Sequence, residues 1–515
     1  MDLAKARISD EPQLFEARRK IFPKAIDGNY RRLKWAAMLV TLTIYYVTPW
    51  LRWDRGAYAP HQAVLIDLPH RRFYMFAIEI WPHEFYYVAG LLIMAGVGLF
   101  LITSAVGRAW CGYACPQTVW TDLFLHVERA IDGDRNAQIK LQRAPWGPVK
   151  IAKRLAKHLI WLVIAAATGG AWIFYFADAP TLARQFVEGI APYQAYLTVG
   201  ILTATTYTMG GILREQVCIY MCPWPRIQGA MLDEKSLMVT YKYWRGEPRT
   251  HGIKRAAEAA FQPLQGDKGA APQHGLEALV ALAADPKLAS RVGDCIDCNA
   301  CVSVCPTGID IRNGPQIGCI TCGLCIDACD EVMDRLDRPR RLIGYSTVAD
   351  ELIAAEGGTP ESPAARLLRP RTIAYFLLWA GIGSGLLFSL GSRSRLDVSV
   401  RQERNPLYVQ LSDGTIRNSY TINIRNMEGR PRTVTLAVDG LPGARMWDEG
   451  GSRESAGGTL AIPTPPDQVA RKRVYVATSQ AGPQRQPMRF VVTARDAEAT
   501  SDREQSFFER PGETR

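Results

Sequence analysis

Cys295-Ile296-Asp297-Cys298-Asn299-Ala300-Cys301-Val302-Ser303-Val304-Cys305-Pro306 and Cys319-Ile320-Thr321-Cys322-Gly323-Leu324-Cys325-Ile326-Asp327-Ala328-Cys329 hold eight of the twelve cysteines in this 515-residue chain. Both runs read C-x2-C-x2-C-x3-C, the bacterial ferredoxin spacing for two 4Fe-4S clusters, in which the fourth cysteine of each run serves the other cluster. The spacing therefore predicts one cluster on Cys295, Cys298, Cys301 and Cys329, and a second on Cys319, Cys322, Cys325 and Cys305. The expected chemistry is one-electron transfer. A disulfide framework suits a short secreted domain, and structural zinc takes four ligands, usually as two cysteine pairs. Neither matches three evenly spaced cysteines plus a fourth. The second run ends Cys329-Asp330, without the proline that follows Cys305.

Outward from the clusters, the composition segregates. Five stretches, Leu33–Leu51, Phe85–Val106, His158–Phe176, Tyr193–Leu213 and Thr372–Leu390, are long and nearly free of charge. About 20 apolar residues rising 1.5 Å each cross a ~30 Å hydrocarbon core. Glycines at 90, 96, 98, 169, 170, 381, 383 and 385 suit close helix packing in lipid. Nine Lys or Arg lie in residues 1–34 and nine in 107–157, against four in 52–84 and one, Arg184, in 177–192. Positive charge stays on the cytoplasmic side. The N-terminus, loop 107–157 and the ferredoxin segment are thus expected in the cytoplasm, and everything beyond Leu390 outside. The outer tail has no cysteine, and all twelve fall on the side where thiols stay reduced. No cleavable signal peptide is visible in the polar, basic first 32 residues, so the first membrane helix is expected to target the chain. The net charge of +11 sits largely at membrane edges, where it meets anionic lipid, and argues no nucleic-acid partner.

The other four cysteines form a repeat. Arg108-Ala109-Trp110-Cys111-Gly112-Tyr113-Ala114-Cys115-Pro116 and Arg214-Glu215-Gln216-Val217-Cys218-Ile219-Tyr220-Met221-Cys222-Pro223 both contain C-x-Y-x-C-P where a helix leaves the membrane. A motif repeated at matched depth suggests a quasi-twofold pair. Residues four apart share a helix face, so each motif is expected to aim two sulfurs together. Four thiolates select a soft centre: copper(I), zinc or iron–sulfur. Met221 and His126 are near these motifs but read as packing residues. His61, His70 and His83 read as structural histidines of the first outer loop.

The expected organisation is an N-terminal segment 1–32, a membrane domain 33–223 with four helices and both C-x3-C-P motifs, and a linker 224–292 with a short helix near Leu276–Leu288. A dicluster ferredoxin-like α+β domain 293–345 follows. A linker 346–371 and a fifth membrane helix 372–390 lead to a C-terminal domain 391–515. Short alternating runs such as Tyr420–Ile424 and Arg489–Thr493, with turns at Asp413-Gly414 and Pro442-Gly443, predict an immunoglobulin-like β-sandwich there, its last residues disordered from about Glu509. No G-x-G-x-x-G run stands in a strand–turn–helix setting, so no dinucleotide site is expected.

These features together resemble the cytochrome c oxidase accessory family CcoG, also called FixG or RdxA. The resemblance covers nearly the whole length. It rests on Ile21-Phe22-Pro23-Lys24 with Gly28, on Trp110–Thr118, on Cys305-Pro306-Thr307-Gly308-Ile309-Asp310-Ile311-Arg312, and on the order of membrane hairpins, clusters and sandwich. It implies a multi-pass polyferredoxin of the bacterial inner membrane with a periplasmic C-terminal domain. It implies a role in assembling a cbb3-type cytochrome c oxidase by reducing copper(II) to copper(I), with oxidase assembly factors, copper chaperones or transporters and a cytoplasmic electron donor as partners. On this reading Cys111, Cys115, Cys218 and Cys222 form the copper or redox site. Two other readings stand beside it. The same four cysteines could hold a third iron–sulfur centre or pass electrons to a quinone or partner protein. Alternatively, the chain could be a non-catalytic assembly factor or metal chaperone.

Overall fold

The computed structural model describes residues 20–56, 59–249, 293–362, 365, 368–428, 430–466, 468–479, 481–495 and 500–511. The expected helix near Leu276–Leu288 lies outside them. The chain divides into two compact units. One comprises Met1–Pro49 with His83–Ile382, the other Trp50–Pro82 with Gly383–Arg515.

Three described helices are long and apolar enough to cross a membrane: Pro82–Val106, Pro148–Ile173 and Pro370–Ser392. The stretches Leu33–Leu51 and Tyr193–Leu213 are also helical, but fall short of that standard. The helix Asn29–Val47 carries Arg31, Arg32 and Lys34 in its first turns. The helix Tyr193–Thr206 ends after 14 residues and continues as a wider π-helix, Tyr207–Leu213. Gly210 and Gly211 lie in that π segment because no side chain fits. A Cβ would come 2.9 Å from the Phe124 ring at one and 2.9 Å from the Trp161 ring at the other.

The helix Pro116–Asp132 organises the charged end of this unit. Proline opens it at the position where the missing N–H costs nothing, and Gly133, with φ +90°, closes it. Its buried face carries Thr118, Asp122, Leu125, Glu128 and Asp132 at helical spacing. Buried carboxylates need partners, and each has one. Arg31 Nη1 donates to Asp122 Oδ1 at 2.9 Å, with Lys34 Nζ 3.9 Å from the same oxygen. Lys157 donates to Glu128 at 3.1 Å and Asp132 at 2.8 Å, and Arg214 reaches Glu128 at 2.5 Å. Burial raises the Asp122 and Glu128 carboxyls, but Lys34 with Arg31, and Arg214 with Lys157, outweigh it and hold both below the usual range. Several arginines and lysines that read as topology markers are therefore interior ion-pair members.

The ferredoxin part begins earlier than expected. The strand Met238–Tyr241, inside the anticipated linker, pairs antiparallel with Ile343–Ser346 and closes the domain around the helices Ala300–Val304 and Leu324–Arg335. An apolar core of Val239, Ile311, Ile326, Met333, Leu342 and Ile343 sits among Cys295, Cys301 and Cys329.

The second unit is a sandwich of two antiparallel sheets. One runs Arg445–Asp448, Gln468–Thr478, Ile416–Asn426, Leu396–Gln402, with Val409–Gln410 added to Ile416–Asn426. The other runs Thr459–Thr464, Arg432–Asp439, Arg485–Ala494, Ser501–Glu509. Ile416–Asn426 alternates buried and half-buried residues along its whole length, the period of a strand with one face inward. Tyr420 is wholly buried and spans the sheets, its hydroxyl donating to the Phe507 carbonyl at 2.7 Å. The last strand continues through Glu509. Residues 50–82, read as an outer loop, contain a three-stranded antiparallel sheet of Val64–Asp67, Arg72–Met75 and Ile78–Ile80.

Lys157→Met should leave Glu128 and Asp132 short of a buried cation and cost on the order of 3–5 kcal/mol. Thermal unfolding of the detergent-solubilised protein measures it. Glu128 titrates below its ordinary value, so the loss should be full at pH 7 and shrink below about pH 4.

Candidate iron–sulfur and thiol centres

The two ferredoxin runs adopt the same local backbone. Asp297 and Thr321, each just before the second cysteine of its run, have φ of +51°. Asn299 and Gly323, each just after it, have φ of +58° and +75°. A β-branched residue such as Thr321 rarely takes this conformation, and such strain persists where surrounding structure demands it. Here it wraps three cysteines of each run about one centre. The fourth cysteines part company. Cys305 precedes Pro306 and is extended, as proline requires of the residue before it, ending the helix Ala300–Val304. Cys329 has no proline after it and stays inside the helix Leu324–Arg335.

The runs cross. Cys329 stands beside Cys301, Cys295 and Cys298, while Cys305 stands beside Cys319, Cys322 and Cys325. Burial pushes the Cys301 and Cys319 thiols up to about 12, Arg312 opposing at the first and the Thr321 N–H at the second. The Thr321 N–H donates to Cys319 Sγ at 3.4 Å, and Thr307 Oγ1 lies 3.3 Å from Cys305 Sγ.

Among the described residues, no three His, Cys, Asp or Glu side chains converge on a single ion. Ligands of one zinc ion crowd within about 2.3 Å of it, whereas a cubane spreads its ligands over four corners. The thiol sets thus fit clusters better than mononuclear metal. Thr321 Oγ1, buried without a hydrogen-bond partner beside Cys319, fits a sulfide acceptor at the same place.

The repeated C-x-Y-x-C-P motifs also fold alike. In each, the N–H of the second cysteine donates to the carbonyl of the residue before the first: Cys115 to Trp110 at 2.9 Å, Cys222 to Val217 at 2.7 Å. Each second cysteine is extended, with φ −61°, ψ 128° at Cys115 and φ −77°, ψ 123° at Cys222. The expectation of two sulfurs on one helix face is corrected here. Pro116 and Pro223 exclude helical backbone at the residue before them, so each helix stops short of its second cysteine. The four sulfurs still gather. Cys218 feels Cys115, Cys111 and Cys222, and Cys111 feels Cys115 and Cys222. Burial raises Cys111 to about 11 and Cys218 to about 12, with Arg108 opposing. Both are thiols at neutral pH, so capture of a soft metal would release protons.

This thiol site abuts the second ferredoxin run. A Cβ on Gly112 would meet the Ile320 carbonyl at 2.7 Å, Cys322 Cα at 3.1 Å and Cys322 N at 3.2 Å. Cys111 and Cys322 belong to one buried apolar cluster. Tyr113 donates to the Cys322 carbonyl at 3.0 Å, and Arg108 to the Ile317 carbonyl at 2.6 Å. Gln228, absent from the sequence reading, accepts from Cys111 Sγ at 3.2 Å and from Arg108 Nε at 3.4 Å. It lies six residues beyond Cys222 with no motif of its own. His126 stacks edge-on with Trp35, and His70 bonds Asp67 at 2.8 Å.

The quoted N-terminal motif straps the ferredoxin part down. Lys24 N–H donates to the Ser303 carbonyl at 2.8 Å, and a Cβ on Gly308 would come 2.7 Å from Ile21. One on Gly28 would come 2.3 Å from Asp327. Asp327 accepts from the N–H groups of Arg31 at 2.8 Å and Tyr30 at 3.3 Å, capping the helix Asn29–Val47.

Cys305→Ala should remove the iron of the second run and spare that of the first, leaving about four iron atoms where two cubanes hold about eight. Iron quantification with EPR of the reduced protein reads this. Loss of only the first run's signal would reverse the crossing.

Comparison with known proteins agrees with this geometry. A family model described as the IG-like fold at the C-terminal of FixG matches residues 386–511. A 4Fe-4S dicluster domain matches 213–274 and 266–348, and a 4Fe-4S binding domain matches 88–132. Nitrogen fixation protein FixG of Rhizobium meliloti is 52% identical over 486 residues, 90% of this chain and 87% of that protein. Protein RdxB and Protein RdxA of Cereibacter sphaeroides are 50% and 52% identical, each match covering 91% of both chains. A FixG C-terminal domain, 4Fe-4S domains and relatives about half identical in sequence over nine-tenths of the chain place this protein in the FixG/RdxA family.

Proposed function

We propose that the chain is a membrane electron carrier that passes electrons from its ferredoxin part to the thiol site of Cys111, Cys115, Cys218 and Cys222. There it reduces copper(II) to copper(I), in the service of assembling a cbb3-type cytochrome c oxidase. The observation that carries this reading is the backbone contact of Gly112 with Ile320 and Cys322, which sets the two thiol sets wall to wall. Bound to the eight ferredoxin cysteines, two 4Fe-4S clusters would supply reversible one-electron transfer.

The chain's own residues give the route a direction. Cys298 is the exposed cysteine of the eight and marks the face where an electron donor docks. Cys322 is buried, against the first C-x-Y-x-C-P motif. Both sets have cations beside them: Lys34 acts on Cys322 and Arg108 on Cys319, and Arg312 acts on Cys301 ahead of Asp310. At the thiol site one electron reduces one copper(II), and thiolates favour the softer copper(I) that results. The protein is oriented with its N-terminus and ferredoxin part in the cytoplasm and its sandwich in the periplasm, the path of five spans following the charge bias of the loops.

A second reading has its own support. The 4Fe-4S binding domain match over residues 88–132 covers Cys111 and Cys115. The four sulfurs gather without closing on a single ion. On this reading Cys111, Cys115, Cys218 and Cys222 would hold a third iron–sulfur centre supplying a further one-electron step, with a quinone or partner protein as the acceptor.

Replacing Cys111 and Cys218 together with serine should abolish copper(II) reduction by the dithionite-reduced protein and leave the ferredoxin EPR signals intact. Unchanged copper reduction would remove the site from the route. Iron and acid-labile sulfide analysis of the native protein separates the two readings, with about eight iron atoms per chain for two cubanes and about twelve for three.

A further inference from the structure

A cavity of about 280 Å³ opens beside the π-helical segment, with no cysteine among its lining residues. Lys20, Ile21, Arg154, Lys157, His158 and Trp161 line one side, and Gly211, Ile212, Arg214 and Glu215 the other. Four cations thus meet here from three separate segments. Lys157 and Arg214 are occupied by Glu128 and Asp132 beneath the cavity. Lys20 and Arg154 have no carboxylate partner among the described residues, Arg154 donating only to Gln142 Oε1 at 2.6 Å. Glu215 is the one carboxylate among the described residues of the wall. Lys20 stands open at the rim. Burial is the main cause that lowers its ammonium to about 8, with Glu128 opposing and Lys157, Arg154 and Arg214 adding to the fall.

The site's surroundings are apolar on one side. Arg154, Lys157, His158 and Trp161 occupy the early turns of the helix Pro148–Ile173, which is long and apolar enough to cross a membrane. On its outer face Leu155, Leu159 and Leu162 are exposed. The cations therefore sit where an apolar helix surface ends, above a floor of Trp161 and Ile212. Basic pockets between membrane helices at that depth suit phosphate headgroups, and long cationic side chains reach toward the interface.

We propose that this cavity binds a phosphate-bearing anion through Lys20 and Arg154, the phosphate being that of an anionic phospholipid headgroup or free in solution. It goes beyond the electron-transfer reading and does not rest on it.

The test uses the full-length, cluster-loaded protein, delipidated in a neutral detergent. Phosphatidylglycerol, phosphatidylcholine or inorganic phosphate is added back. Retention of lipid is read by native mass spectrometry and stability by thermal unfolding. Wild type should keep phosphatidylglycerol in preference to phosphatidylcholine. The double variant Lys20→Gln with Arg154→Gln should hold phosphatidylglycerol roughly thirtyfold more weakly, since each basic residue near the headgroup contributes about 1 kcal/mol and about 1.4 kcal/mol is a factor of ten. Lys140→Gln with Arg143→Gln, exposed outside the cavity, should change nothing. Stabilisation by inorganic phosphate that the first double variant loses would assign free phosphate. Stabilisation by phosphatidylglycerol alone would assign the lipid. Equal binding by wild type and the cavity variant, or equal loss in the Lys140 and Arg143 control, would overturn the site. Should the double variant lose iron, Arg154→Gln alone, whose partner is the exposed Gln142, gives the same comparison.

Discussion

The contact of Gly112 with the Ile320 carbonyl and the Cys322 backbone is the constraint on which the rest of this unit depends. It leaves no room for a single added carbon. Two cysteine systems of different origin in the sequence thereby share one wall. Around it stand three side-chain to backbone hydrogen bonds: Arg108 to the Ile317 carbonyl, Tyr113 to the Cys322 carbonyl, and Tyr345 to the Thr321 carbonyl. The second motif touches the same loop, Ile219 lying against Gly318. A ferredoxin domain held by flexible linkers alone would need none of these.

Much of this was legible because cysteine spacing is a chemical constraint. Three thiols within seven residues can meet only if the loop turns sharply, and the positive φ values at Asp297, Thr321 and Asn299 are that turn. The crossing of Cys305 and Cys329 follows the same logic. The repeat of C-x-Y-x-C-P was visible too, and both copies close with the same hydrogen bond. What escaped was the role of the proline. Helical spacing placed both cysteines of a motif on one face, but proline acts backward on the residue before it, so each helix stops early.

Other features were hidden for different reasons. Met238–Tyr241 is only four residues long and finds its partner about a hundred residues later at Ile343–Ser346, so no local pattern marks it. Arg31, Lys34, Lys157 and Arg214 have the composition of a membrane-edge charge bias. Their burial shows only when Asp122, Glu128 and Asp132 line up along one helix face. Charge bias and ion-pair network are two uses of the same residues, and buried pairs of this kind specify geometry more than they add stability. Gln228 is a neutral side chain in a short helix, and nothing but three-dimensional proximity could link it to Cys111.

The cap that Asp327 provides has a consequence for how the chain is made. The helix Asn29–Val47 leaves its first amides without intrahelical partners, as every helix does. The carboxylate that accepts from them lies 296 and 297 residues further on, between Cys325 and Cys329. During synthesis this opening helix is complete long before its cap exists. Its end stays ragged until the second cysteine run has emerged and folded around its centre. This helix is thus finished by a segment about three hundred residues further on, and closure of its first turn depends on the cysteine-bearing helix Leu324–Arg335 reaching its place.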